Sequence, residues 1–326
     1  MEINRMNQGK WDAINDGPYN EDSSEKENIM NISPSSSTSE TLSTPTASKA
    51  ALGASSRPLR FLIVTLAVAV YIALGFLLHL DTYQYLLLGI PLLVLFQLGV
   101  HRQPLRTMWV RSGPPLRLDL WFFVLWILFS LMPIYFVWVA RQQSNVEIAT
   151  YSSAAIFGAF GLAYAVRAMR LTNVRQLGFC ILICVPIFFL FLLPSFRQWH
   201  TYPLLNGLAF GAQQFLILTP VTFVMEEVFF RGVLDTYLHQ DEKKTGWPSA
   251  IYISALWGLW HLPISLTLSQ GALHWNQILV IIATLLIVQI AIGVPLSIWW
   301  RRSGNLVVTG TTHALLDTIR NVLIGI

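Results

Sequence analysis

The sequence predicts an all-α fold: a polytopic transmembrane helical bundle of about nine spans behind a disordered N-terminal tail. Three observations predict it. Of the 326 residues, 54% are hydrophobic and only 12% charged, and the mean hydropathy is +0.54, values outside the range of water-soluble domains. Apolar runs of membrane-spanning length recur from Arg60 to the C-terminus. The basic residues beyond the tail gather in every second short loop, as topology determinants do.

Residues 1–56 are polar, with a Ser-rich core at Ser33–Glu40, and bury too little apolar surface to offset their ordering entropy. No apolar core lies near Met1, so the tail does not read as a signal peptide, and its many acids argue against a transit peptide. Two blocks of membrane helices are expected after it, residues 57–199 and 200–326. Spans are placed at about 61–80, 83–100, 119–140, 150–166, 177–196, 204–234, 248–268, 277–300 and 305–325. The fourth is short and the sixth long, and Pro186, Pro194 and Pro220 are expected to kink or end helical turns. Cys180 and Cys184, one turn apart, read as small buried hydrophobes.

Arg57 and Arg60, the four arginines from Arg102 to Arg117, Arg167 to Arg175, Lys243 with Lys244, and Arg301 with Arg302 mark one set of loops. The intervening loops hold Asp81, Arg141, Arg197 or no basic residue at all. This alternation predicts an integral, multi-pass membrane protein with a cytoplasmic N-terminus and its C-terminus outside. The formal net charge of +4 is accounted for by topology, and no nucleic-acid partner is implied.

Few ionisable residues fall within spans: Glu226, Glu227, Arg231, His261, His313 and Asp317, with Arg320 near a helix end. Such groups cost several kcal/mol in hydrocarbon and mark function by default. At a rise of roughly 1.5 Å per residue, Glu226, His261 and His313 lie about 12, 20 and 12 Å from the same side of the membrane. Those depths agree with one cluster between the cytoplasmic face and the midplane. Glu227 and Arg231 stand at i, i+4 and pair on one helix face, which alone reads as a structural ion pair. Glu226 is turned about 100° from Glu227. His313 and Asp317 repeat the i, i+4 spacing, Trp257 stands one turn before His261, and Gln289 reads as a packing or cavity-lining residue. A single intramembrane histidine is equally well a helix–helix hydrogen-bonding residue; the set as a whole reads as a site.

Glu226-Glu227-x-x-x-Arg231, Trp257-x-x-x-His261 and His313-x-x-x-Asp317 resemble, in that order, the motifs of the CAAX protease and bacteriocin-processing (CPBP) family of intramembrane proteases, which includes the type II CAAX prenyl endopeptidases. The resemblance covers about residues 200–326. It departs in Trp257, where Phe is usual, and in Asp317, where Asn is common; an ionised Asp cannot donate to an oxyanion, so it orients His313 or must be protonated.

The resemblance implies an endopeptidase that cleaves at the cytoplasmic side of the membrane. Its substrate would be a membrane-associated peptide or protein, of prenylated CAAX type or otherwise. Glu226 activates water held by His261, His313 with Asp317 stabilises the oxyanion, and Glu227, Arg231 and Trp257 support. The metal-free version needs no cofactor. The alternative is a zinc enzyme with Glu226, His261 and His313 as ligands, and the sequence keeps both open. Motifs of other intramembrane proteases, such as His-Glu-x-x-His, are absent. Readings of another class also stand: a membrane transporter or proton relay using the same cluster, against which no inverted repeat is visible, or a non-catalytic scaffold.

Overall fold

In a computed structural model, residues 56–80, 82–140, 145–199, 201–239, 246–268 and 274–325 are described. Most of the polar tail, with Asp81, Arg141, Lys243 and Lys244, lies outside them. All nine expected segments are helical: α1 (Arg57–Leu77), α2 (Thr82–Leu95, prolonged by a π turn at Phe96–Val100), α3 (Leu120–Ala140), α4 (Asn145–Arg167), α5 (Leu171–Leu192), α6 (Leu204–Thr222, prolonged to Leu238), α7 (Trp247–Trp260) with its short continuation α8 (Leu262–Leu268), α9 (Trp275–Ser303) and α10 (Val307–Ile324). Seven helices among the described residues are long and apolar enough to cross a membrane, and Gln84–Val100 is a shorter apolar helix. Leu62, Leu66, Leu131 and Leu182 are more than half exposed, as side chains facing lipid must be. The protein is an integral, multi-pass membrane protein.

The fourth span, expected to be short, is a full 23-residue helix. Hydropathy stops at Glu147, but backbone helicity does not, because a carboxylate in the first turn complements the helix dipole. α5 starts at Leu171, six residues before the expected span; the backbone N–H of Arg170 donates to Asn173 Oδ1 at 2.9 Å, and Asn173 Nδ2 donates to the Ser303 carbonyl at 3.0 Å.

The arginine-rich loops meet at one end of the helices. There the Arg111 N–H donates to the Gly304 carbonyl (2.9 Å), Leu306 N–H to the Trp109 carbonyl (3.0 Å), and Val110 bridges Asn305. Arg301 reaches the Gly246 carbonyl (2.7 Å) and clamps Asp235 with Nη2 at 2.5 Å and Nε at 3.0 Å. α1 joins the same end, since the Tyr252 hydroxyl donates to the Phe61 carbonyl at 3.3 Å. The helices therefore alternate in direction as the loop charges imply.

The core sits where the motifs do. After Pro220, which cannot donate to the helical ladder, α6 changes register. Phe223–Asp235 is a π-helix, and all its residues but Glu226 are buried. Such wide turns interrupt α-helices mainly at functional sites. Two glycines let neighbouring backbones approach it. A Cβ on Gly158 would lie 1.8 Å from the Pro220 carbonyl oxygen, and one on Gly232 2.2 Å from that of Met108.

Candidate active site

Three helices bring the motif residues together. The π-helix presents Glu226 and Glu227 on different faces, α7 ends at His261, and α10 carries His313 and Asp317. α7 breaks at His261 because Pro263 removes a backbone donor just beyond it. The His261 backbone N–H turns back to the Gly258 carbonyl (3.2 Å).

Trp257 is the hub. Its indole N–H donates to Glu226 Oε2 at 2.9 Å, and its carbonyl accepts from His261 Nδ1 at 2.8 Å. That bond places a proton on His261 Nδ1 and aims Nε2 at Glu226, 3.6 Å from Oε2. The rings of His261 and His313 stand edge-on to the indole at 5.5 and 5.1 Å, and the Arg231 guanidinium lies over its face at 4.0 Å.

Beneath this layer Glu227 and Arg231 pair at 3.2 Å, their side chains 0% and 1% exposed. No guanidinium nitrogen of Arg231 makes a well-formed hydrogen bond among the described residues. Its charge is therefore compensated by one carboxylate and one aromatic face. Glu227 does more than pair: its Oε1 also accepts from His313 Nδ1 at 2.9 Å. The sequence assigned the orienting role on His313 to Asp317. In the structure Asp317 is the more distant partner, 3.6 Å from His313 Nε2, and its other oxygen holds Arg320 at 3.0 Å. Asp317 thus has a cationic partner, which suits an ionised carboxylate rather than an oxyanion donor. Gln289 lies 3.4 Å from both ring nitrogens of His261. The two histidine–carboxylate links, Glu226 with His261 and Glu227 with His313, join helices far apart in sequence, so no local spacing announces them.

Glu226, Trp257, His261, Gln289, His313 and Asp317 line one cavity of about 420 Å³. The cavity runs from the cluster past Thr82, Tyr151, Phe191, Ile264 and Arg320. All of these lie toward the helix ends opposite the arginine-rich loops. Glu226 and His261 keep some exposure there, 16% and 21%, whereas Glu227 has none. Of the two adjacent glutamates, Glu226 is therefore the one that substrate and water can meet.

The zinc alternative needs Glu226, His261 and His313 on one ion. Among the described residues no three His, Cys, Asp or Glu side chains converge closely enough to hold a metal. His313 Nδ1 is committed to Glu227 and its Nε2 faces Asp317. The donor set does not fit the ion.

No curated protein and no solved structure matches the chain. Residues 209–319 match the family described as Rce1-like, type II CAAX prenyl endopeptidase, a stretch that takes in the π-helix, α7, α9 and most of α10. The three motifs gathered on one cavity lie inside that stretch, and over it the chain is similar to the CAAX protease family of membrane endopeptidases.

Proposed function

We propose that the protein hydrolyses a peptide bond of a membrane-associated CAAX-type substrate by direct attack of water, with Glu226 as general base. The observation that carries this is the approach of Glu226, the exposed member of the adjacent glutamate pair, to His261 Nε2 at 3.6 Å on the cavity wall, where one water can meet both. Glu226 takes a proton from that water while His261 Nε2 holds it. The hydroxide adds to the scissile carbonyl carbon. His313, fixed by Glu227 and carrying a proton on Nε2, donates to the oxygen on which charge develops. Glu226 then returns the proton to the leaving amine as the C–N bond breaks. Apolar walls from Phe188, Leu192, Leu218 and Ile264 suit aliphatic residues beside the scissile bond.

The side of cleavage needs a separate argument. Arginine-rich loops in the cytoplasm and cleavage on the cytoplasmic side pull against each other here, because the cavity runs away from those loops. Access from the opposite end is the reading that the cavity favours. Thr82→Cys at its far rim, probed by a membrane-impermeant maleimide on sealed vesicles, reports that side.

Purified full-length protein in detergent is assayed on prenylated and unprenylated CAAX peptides, with Glu226→Gln, His261→Ala and His313→Ala beside it. Each substitution is expected to lower kcat by about a hundredfold or more, and a strong chelator to leave the wild type unchanged. Full activity of Glu226→Gln refutes the mechanism, and chelator-sensitive cleavage refutes its metal-free form.

A further inference from the structure

A second cavity, of about 560 Å³, lies at the arginine-rich end between the 110–114 loop, the start of α5 and the end of α9. It shares no lining residue with the catalytic cavity. Four arginines line it: Arg111, Arg170, Arg301 and Arg302. Asp235 clamps Arg301. Arg111, Arg170 and Arg302 make no ion pair among the described residues. Three guanidiniums without an ion pair among the described residues thus line one concavity.

Their surroundings favour an anion further. Arg111 is half-buried against the Trp300 ring, 5.9 Å from its centroid. Burial pulls its pKa below the ordinary arginine value; Asp235 opposes the shift and Arg301 adds to it. Positive charge set by topology alone requires neither a concavity nor a half-buried guanidinium.

Outside the cavity lining, from Arg302 outward, runs an apolar flank. Arg302 lies over Trp299 at 5.3 Å, Trp299 stacks on Phe179 at 6.1 Å with the planes 5° apart, and Arg175 lies over Phe179 at 5.7 Å. Leu171, Val174 and Leu182 continue this flank along α5, each more than half exposed. Cation above and aromatic and aliphatic surface below is the order of chemistry met in a phospholipid, from phosphate to acyl chain.

We propose that this cavity binds the phosphate headgroup of an anionic phospholipid, with Arg111, Arg170 and Arg302 on the phosphate and the acyl chains along Phe179 and Leu182. Guanidinium forks match phosphate oxygens bidentately. Basic pockets between membrane helices select anionic headgroups in this way. The site acts independently of the peptide chemistry, so it stands whether or not the protein is a protease.

The test is native mass spectrometry of the full-length protein in detergent, titrated with phosphatidic acid and phosphatidylcholine in parallel. The wild type is expected to take up one phosphatidic acid with at least tenfold preference. Arg111→Gln/Arg170→Gln/Arg302→Gln is expected to lose that preference, at about fivefold per arginine. Arg102→Gln/Arg106→Gln/Arg117→Gln, which removes equal charge outside the cavity, is expected to keep it. Equal loss in both triple variants overturns the proposal, because charge on that end then acts without a site. Displacement of the lipid by millimolar inorganic phosphate also overturns it, since the ligand is then a free anion. If the cavity triple fails to fold, Arg170→Gln/Arg302→Gln at two exposed positions gives the same reading, with about a twenty-five-fold loss expected.

Discussion

Glu227→Gln separates two roles that one carboxylate plays. The substitution removes the counter-charge of Arg231, whose guanidinium is 1% exposed and has no other carboxylate within reach among the described residues. Breaking a buried pair by removing one partner costs about 3–5 kcal/mol, against a typical stability of about 5–15 kcal/mol. It also replaces a charge-assisted bond to His313, 2.9 Å long, by a neutral one, a loss of about 1–2 kcal/mol of positioning, which is about five- to thirtyfold in kcat. Adding Arg231→Met removes the orphaned charge, so most of the stability returns. His313 stays unanchored, and kcat stays low. Thermal aggregation in detergent and single-turnover cleavage, run on both variants, check the two halves. Wild-type stability of Glu227→Gln, or full kcat in the double variant, refutes the reasoning.

Trp257→Phe keeps an aromatic face for Arg231 and loses the N–H that donates to Glu226 at 2.9 Å. We expect kcat to fall about tenfold or more, since hydrogen bonds to charged groups contribute about 1.5–3 kcal/mol, with little change in melting temperature. Trp257→Leu should lower both. Gly158→Ala drives a methyl into the Pro220 carbonyl oxygen at 1.8 Å, a backbone atom that cannot step aside. Its melting temperature should drop and cleavage should be lost together, and a stable, active Gly158→Ala would show that α4 is not held against α6 in this way. His101, in the loop after α2, is pulled down to about 4 from 6.5 by burial, with Arg111 adding to the shift. The folded state then binds fewer protons than the unfolded one, so stability is full above pH 6.5 and is lost as pH falls toward 4. His101→Gln should flatten the melting temperature over that window; parallel profiles for variant and wild type would refute the assignment.

The helices were legible because hydrophobic length alone determines them, whereas the break at His261 divides a span expected to be continuous over 248–268. The convergence of Glu226, His261 and His313 was legible because charges in hydrocarbon need company. What escaped was the choice of partner. The i, i+4 spacing points His313 to Asp317, yet packing of α10 against the π-helix gives it Glu227, a decision made between helices rather than along one. The π register also escaped, since the sequence reading took 3.6 residues per turn through a stretch where Pro220 disturbs the ladder. The direction of the cavity was not legible either. It depends on where helices part, at Thr82, Tyr151 and Arg320, and no periodicity records that.

The three motifs fall within residues 209–319, but the floor under them comes from outside. The Tyr85 hydroxyl donates to the Trp260 carbonyl at 2.9 Å and its ring stacks on Trp260, while Tyr71 meets both Phe229 and Trp260 edge-on. The stretch that carries the family match is therefore no transplantable cassette. Grafted or expressed without α1, α2 and α4, it would present Trp260 and the back of the π-helix to lipid. Swapping parts between relatives will succeed only when the foundation travels with the superstructure.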